Sequence, residues 1–131
     1  MPRCSLALAA LFSILTLNSF TALMPDDRDW NDCLKKYESK WGEYCVQCQD
    51  YKNSYRVNLR NVCAEKIDAK VAVQESDKRW RTFIKTQMSP GDTMIAYACN
   101  GTGKYLYWVC RAGDKSTVLP SDEEINAGYS K

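Results

Sequence analysis

Residues 93–111 constrain the fold of this chain more than any other stretch. Two apolar runs, 93–99 and 104–110, flank the short segment 100–103, which contains two glycines. Apolar runs joined by a short glycine-containing turn are typical of a β-hairpin. The sequence therefore predicts that this hairpin lies at the centre of the fold and that the remaining elements cover or extend it.

The register of this hairpin follows from its four-residue loop, which places Cys99 opposite Lys104. One face then carries Met94, Ala96, Ala98, Tyr105, Tyr107 and Val109. The other face carries Thr93, Ile95, Tyr97, Leu106, Trp108 and Cys110. Because both faces are largely apolar, both need cover, and we expect the pair to be buried on its two sides.

Residues 1–22 have the organisation of a secretory signal peptide. Arg3 supplies a positive charge, and residues 4–17 form an uncharged and mainly apolar run. The run is short for a membrane-spanning helix, which needs about 20 apolar residues; a retained membrane anchor is the alternative. We expect cleavage after Ala22, a single mature domain of residues 23–131 with no stable membrane span, and a secreted or periplasmic location.

The cysteine content agrees with export. Six cysteines remain after residue 22, and an even number of cysteines in a short exported chain indicates a disulfide framework. In the hairpin register, Cys99 and Cys110 lie about 20 Å apart along the sheet. A disulfide needs Cα atoms within about 7 Å, so these two should not be bonded. The favoured pairing, one of many that six cysteines allow, is Cys33 with Cys110, Cys63 with Cys99, and Cys45 with Cys48.

Apolar periodicity predicts the other elements. Residues 26–42 carry Trp30, Cys33, Leu34, Tyr37 and Trp41 at the spacing of one helical stripe, after three aspartates suited to capping a helix. Alternation and turn signals predict strands at about 54–62, 66–74, 79–86, 93–99 and 104–111. The tail, 112–131, contains a capping box that begins a short helical turn at Ser121.

Together these elements predict an α+β fold. We expect a single small antiparallel β-meander of about five strands, stapled by disulfides, with the N-terminal amphipathic helix packed on one face. The sequence shows no internal repeat and no second domain.

Composition argues against most catalytic classes. The chain contains no histidine, which excludes Ser-His-Asp and Cys-His catalysis and histidine metal sites. No glycine-rich phosphate loop is present, and the net charge of +2 is far from the strongly basic balance of nucleic-acid-binding proteins. We therefore expect no enzyme activity, no cofactor, no metal site and no nucleic-acid partner.

Two surfaces are candidates for binding. Residues 51–90 carry nine Lys or Arg against four Asp or Glu. Strand alternation predicts one cationic sheet face for an anionic glycan or an acidic protein patch, made of Arg56, Arg60, Lys66, Lys70, Arg79, Arg81 and Lys85. Tyr105 and Tyr107 would form an aromatic face if they are not covered, although core packing is the favoured interpretation.

The function that these patterns favour is that of a small exported, non-enzymatic binding protein. Its ligand would be a protein or a glycan, and inhibitor-like and immunity-like proteins fall within this class. A first alternative is a thiol-disulfide oxidoreductase that uses the Cys45-x-x-Cys48 pair. A second alternative is a structural surface component without a specific ligand.

Overall fold

The computed structural model describes residues 28–129, so the predicted signal peptide lies outside the described residues. The described chain is mostly β and has one short helix near its C-terminal end. Its elements are a 3-10 turn (Trp30–Cys33), strands β1 (Leu34–Trp41), β2 (Tyr55–Asn61), β3 (Ile67–Glu75), β4 (Trp80–Met88), β5 (Thr93–Ala98) and β6 (Gly101–Arg111), and helix α1 (Asp122–Tyr129).

The six strands form two antiparallel sheets of three strands each. In the first sheet β2 lies between β1 and β5, and in the second sheet β3 lies between β4 and β6. The inner faces of the two sheets pack against each other, as in a β-sandwich. The single five-stranded meander predicted from the sequence is therefore wrong, and so is the α+β class.

The main core lies between the sheets and follows the period of two that β-strands impose. Central strands β2 and β3 supply most of it, through alternating side chains that are fully or almost fully buried: Tyr55, Val57, Leu59, Ile67, Ala69, Val71 and Val73. Strand β5 adds Met94, Ala96 and Ala98, and β6 adds Val109 with Tyr105 and Tyr107 packed alongside.

A smaller core lies on the outer face of the second sheet, under helix α1. Ile125 of the helix is fully buried against Ala72 and Trp80, with Leu106 and Trp108 packed around them. The predicted capping box is confirmed at the start of this helix, where the backbone N–H of Glu124 donates to Ser121 Oγ and the N–H of Ser121 donates to the Glu124 carboxylate. The second sheet is thus covered by the C-terminal helix.

Docking of α1 has an expected pH dependence through Asp122. Hydrogen bonds from Lys70 (2.7 Å) and from the Thr82 hydroxyl (2.8 Å) hold the pKa of the Asp122 carboxyl below its ordinary value. Because the pKa of Asp122 is lower in the folded protein than in the unfolded chain, where it is about 3.9, the ionised carboxylate stabilises the docked helix. This stabilisation is fully present at pH values above the unfolded pKa and is lost as the pH falls through the lower, folded pKa. The protection factors of the α1 amides, which are exchange rates corrected for the intrinsic effect of pH, should therefore fall between about pH 5 and about pH 2.

The matched comparison for this effect is Asp122→Asn against Asp77→Asn. Hydrogen bonds from Arg79 also lower the pKa of Asp77, but Asp77 lies in the turn before β4, and these bonds join it to Arg79 and not to the helix. Asp122→Asn should weaken helix docking at neutral pH and remove the acid-induced loss of amide protection. Asp77→Asn should leave both unchanged, and an acid response that survives in Asp122→Asn would contradict the assignment.

The predicted N-terminal helix over residues 26–42 is wrong within the described residues, because residues 34–41 form strand β1. Only Cys33 and Leu34 of the apolar stripe are buried, whereas Tyr37 and Trp41 are exposed. One edge of β2 has backbone N–H and C=O groups that need partners, and β1 satisfies them with a bulge between Lys36 and Glu38. Pairing with β2 therefore outweighs the helical spacing of the apolar residues, and these eight residues fit a strand as well.

The predicted hairpin of residues 93–111 is wrong as well, although its two strands and their inward side chains are confirmed. Strand β5 pairs with β2, and β6 pairs with β3, so the chain crosses from one sheet to the other at Cys99 and Asn100. The Glu75 carboxylate accepts the N–H groups of both residues, at 3.2 and 3.0 Å. These bonds to a neighbouring strand replace the cross-hairpin bonds that the turn signal predicted.

Two disulfides staple the fold, in a pairing that differs from the favoured one. Cys33 is bonded to Cys63, and Cys48 is bonded to Cys99. Cys45 and Cys110 are free thiols. The predicted absence of a bond between Cys99 and Cys110 agrees with the structure, but the three predicted pairs are wrong, because two of them depended on an N-terminal helix and a hairpin that do not form.

Candidate functional site

The seven basic residues of the predicted cationic face do not lie on one face. Arg56 and Arg60 are on the outer face of the first sheet, and Lys70 is on the outer face of the second sheet beneath α1. Arg81 and Lys85 lie along the edge of β4. Lys66 and Arg79 lie in the connections before β3 and β4.

Most of these cations are engaged within the molecule. Ion pairs join Arg56 to Glu43, Lys70 to Asp122, Arg79 to Asp77 and Arg81 to Glu75. The Lys85 ammonium donates to the carbonyl of Thr93 at 2.7 Å, and the Arg81 guanidinium lies over the ring of Tyr97. The Lys85 and Arg81 contacts join strand β4 of the second sheet to strand β5 of the first, so these two side chains have structural roles.

Tyr105 and Tyr107 point into the sandwich and pack against the main core. Their rings are stacked with centroids 6.2 Å apart, and burial raises the pKa of the Tyr105 hydroxyl. The pair therefore does not offer an open platform for a sugar ring, in agreement with the core interpretation.

The outer face of the first sheet is covered at one end by the long β1–β2 loop, residues 42–54. Glu43 pairs with Lys40 and Arg56 at the base of this loop, and the Ser54 hydroxyl donates to the Glu43 carbonyl at 3.0 Å. The end of the loop next to β2 is tied to the start of β6, where the N–H of Gly101 donates to the Asn53 carbonyl at 3.0 Å. The Cys48–Cys99 disulfide adds a covalent link between the same regions.

A cavity of about 210 Å³ lies between this loop and the sheet. Its walls are mainly apolar, and its polar groups are the Glu43–Arg56 ion pair, the Ser54 hydroxyl, the Gln47 side chain and the Cys45 thiol. The residues that line it are Glu43, Tyr44, Cys45, Val46, Gln47, Ser54, Arg56, Ile95 and Tyr97.

Three large apolar side chains at this cavity are strongly exposed, and we call them the cavity rim. They are Tyr44, Val46 and Ile95, with 71, 78 and 52 % of their surface accessible to solvent. Tyr51, also exposed, packs edge-on against Tyr44 with ring centroids 5.5 Å apart. Clustered exposed apolar residues around a concavity are typical of interaction sites, whereas scattered ones are ordinary.

The outer face of the first sheet carries a small excess of basic side chains. Lys35, Lys40, Arg56 and Arg60 lie there with the acidic Glu38 and Glu43, and Asp32 pairs with Lys35. Arg60 lies over the ring of Tyr37 at 4.6 Å. Arg56 and Arg60 are the members of the predicted cationic face that belong to this smaller group.

A larger cavity, about 540 Å³, lies beside the crossing from β5 to β6, but its polar groups already serve the fold. Glu75 accepts the two backbone N–H groups of the crossing and pairs with Arg81. The Asn100 amide donates to the Ser76 hydroxyl at 2.6 Å. Since these groups have internal partners, we do not favour this cavity as the functional site.

Sequence reasoning missed the cavity rim. Tyr44 and Val46 fall between the predicted helix (26–42) and the first predicted strand (about 54–62), where only the Cys45-x-x-Cys48 pair was considered. Ile95 falls on a hairpin face that was expected to be covered. The available signal was the Tyr44-Cys45-Val46 run itself, which places two large apolar residues in an otherwise polar loop.

Neither a metal site nor a membrane span is found in the described part of the chain. Residues 28–129 contain no group of three or more His, Cys, Asp or Glu side chains able to hold a metal ion. No helix in the same range is long and apolar enough to cross a membrane. Comparisons with protein-family models, with curated proteins and with solved structures find no match for the chain.

Proposed function

We propose that this protein is a small exported, non-enzymatic binding protein whose partner is another protein, bound at the cavity rim. The observation that carries the proposal is the cluster of Tyr44, Val46 and Ile95, all exposed, around a mainly apolar cavity. The two disulfides support an oxidising compartment, as the predicted signal peptide does.

Cavity size favours a protein partner over a small molecule. Ligand pockets commonly measure about 300–1,000 Å³, and this cavity measures about 210 Å³. A cavity of this size suits one large side chain of a partner, and such anchors inserted into apolar pockets contribute most of the binding energy in many interfaces. A glycan is less favoured, because Tyr105 and Tyr107 point inward.

Charge specifies the partner further. The excess of basic side chains on the outer face of the first sheet favours a partner segment with Asp or Glu beside the apolar anchor.

The oxidoreductase alternative is not the one that we propose, because Cys48 is bonded to Cys99 and not to Cys45. No observation favours a structural component without a ligand.

The test is selection from a displayed library of random peptides. We expect enriched peptides to share a large apolar residue flanked by acidic residues. Ile95→Asp should weaken their binding at least tenfold, about 1.4 kcal/mol, because it removes apolar contact and adds repulsion. Ile84→Asp is the matched control, since Ile84 is also more than half exposed but lies on the second sheet.

The proposal predicts that Ile84→Asp binds the enriched peptides like the wild type. Equal weakening by both variants would indicate non-specific loss of fold. Enrichment of peptides without a shared apolar anchor, or binding that Ile95→Asp leaves intact, would overturn the proposed site.

A further inference from the structure

Three cysteines meet at the end of the molecule that holds the β1–β2 loop. Cys45 is a free thiol, and Cys48 and Cys99 form a disulfide. The N–H of Cys48 donates to the carbonyl of Cys45 at 3.1 Å, which closes a turn across these two residues. Such a turn holds its first and fourth Cα atoms within about 7 Å, the range in which a disulfide forms.

Gln47 contacts both the free thiol and the bridge. The Cys45 thiol donates to Gln47 Oε1 at 3.2 Å, and the carbonyl oxygen of the same residue lies 3.9 Å from Cys99 Sγ. The free thiol and one sulfur of the bridge therefore contact the same residue of the loop. Cys45 is partly exposed to solvent.

We propose that Cys45 moves the disulfide by intramolecular thiol–disulfide exchange. The Cys45 thiolate attacks Cys48 Sγ, a Cys45–Cys48 bond forms, and the Cys48–Cys99 bond breaks. Cys99 Sγ leaves as a thiolate and takes up a proton in place of the one that Cys45 lost. One thiol and one disulfide are present before and after, so the step needs no external oxidant or reductant.

The exchange has a structural consequence because the Cys48–Cys99 bond is the covalent link between the β1–β2 loop and the crossing from β5 to β6. Folded contacts hold Cys99 against the loop and favour the observed bridge. A flexible chain favours the shorter ring of Cys45–Cys48, because closing a shorter loop costs less entropy. The position of the bridge therefore reports whether the loop is docked, and transferring it releases the loop that carries Tyr44 and Val46.

Cys110 serves as an internal reference. It lies at the opposite end of β6 from Gly101, next to Asp68 of β3, and it is buried. Burial raises the pKa of the Cys110 thiol, with Asp68 and Asp114 adding to the effect, so its thiolate form is suppressed. Cys110 should take no part in the exchange.

The experiment follows which cysteine carries the thiol over time. Protein purified at acid pH, with no reductant present, is moved to about pH 8.5, and samples are quenched in acid, unfolded, labelled with a maleimide and mapped by mass spectrometry. We expect label on Cys99 and a Cys45–Cys48 peptide to appear, at a rate that rises about tenfold per pH unit below the thiol pKa. Wild-type protein in denaturant should show the same product as its major species.

Variants separate this route from others. Cys45→Ser should give no label on Cys99 at any pH, and Cys110→Ser should exchange like the wild type. Cys99→Ser should contain a Cys45–Cys48 disulfide after air oxidation. Label on Cys99 in fewer than about one wild-type molecule in a hundred after a day at about pH 8.5 would overturn the proposal. Equal label on Cys99 in Cys45→Ser, or free thiols on both Cys45 and Cys48 in oxidised Cys99→Ser, would overturn it as well. None of these measurements depends on the proposed binding function.

Discussion

Replacing Cys33 and Cys63 together with alanine is expected to lower the free energy of unfolding by about 3–4 kcal/mol. The bond between them spans 30 residues of sequence, so it restricts the unfolded chain strongly. A small domain is stabilised by only about 5–15 kcal/mol in total, and the loss is therefore a large share. Guanidinium unfolding followed by circular dichroism measures it directly.

The folded environment of this bridge adds to the expected loss. Cys33 is fully buried in the main core. The side chain of Asn61 organises the loop that holds Cys63, because its Oδ1 accepts a hydrogen bond from the N–H of Cys63. The Asn61 side-chain amide also donates to the carbonyls of Glu65 and Met88. Cys45→Ala is the control, because Cys45 has no bridge and should cost less than about 1 kcal/mol. A double variant that unfolds within 1 kcal/mol of wild type would contradict the role assigned to this bond.

The second large effect is expected from Leu59→Ala, at about 3 kcal/mol. Leu59 is fully buried on β2, the central strand of the first sheet, between Lys36 of β1 and Met94 of β5. Truncation removes apolar burial and leaves a cavity that the neighbouring strands cannot fill. Denaturant unfolding should show a lower midpoint with an unchanged slope.

Ile95→Ala is the matched control for this position. Ile95 is in the same sheet but points to the outer face, where 52 % of its surface is exposed. Its truncation should cost less than about 1 kcal/mol. Equal costs at the two positions would mean that the inward and outward faces of the first sheet had been assigned incorrectly.

Local patterns identified most of the secondary structure. Strands β2 and β3 alternate clearly, and the observed bounds Tyr55–Asn61 and Ile67–Glu75 are close to the predicted ones. The capping box at Ser121 marked the start of α1. Each of these signals depends on residues within one element, where side-chain period and backbone hydrogen bonding act together.

The candidate site was far less accessible to sequence reasoning. Exposure of Ile95 depends on which element covers the outer face of the first sheet, and no spacing within residues 93–98 reveals that. Alternation did place Arg56 and Arg60 on a polar face. It could not show that Lys70 and Arg81 belong to another sheet, because side-chain period does not identify a strand's neighbours.

By itself the sequence determined where strands β2 to β6 lie and, on β2, β3, β5 and β6, which side chains point inward, since an apolar period of two has one buried solution along each strand. Only the tertiary structure decided which strands pair, which cysteines meet and what covers each outer face. Any strand offers the same row of backbone donors and acceptors, so its partner is selected by the packing of the whole chain. That selection placed β5 and β6 in separate sheets, turned residues 34–41 into an edge strand and left Cys45 free beside the Cys48–Cys99 bridge.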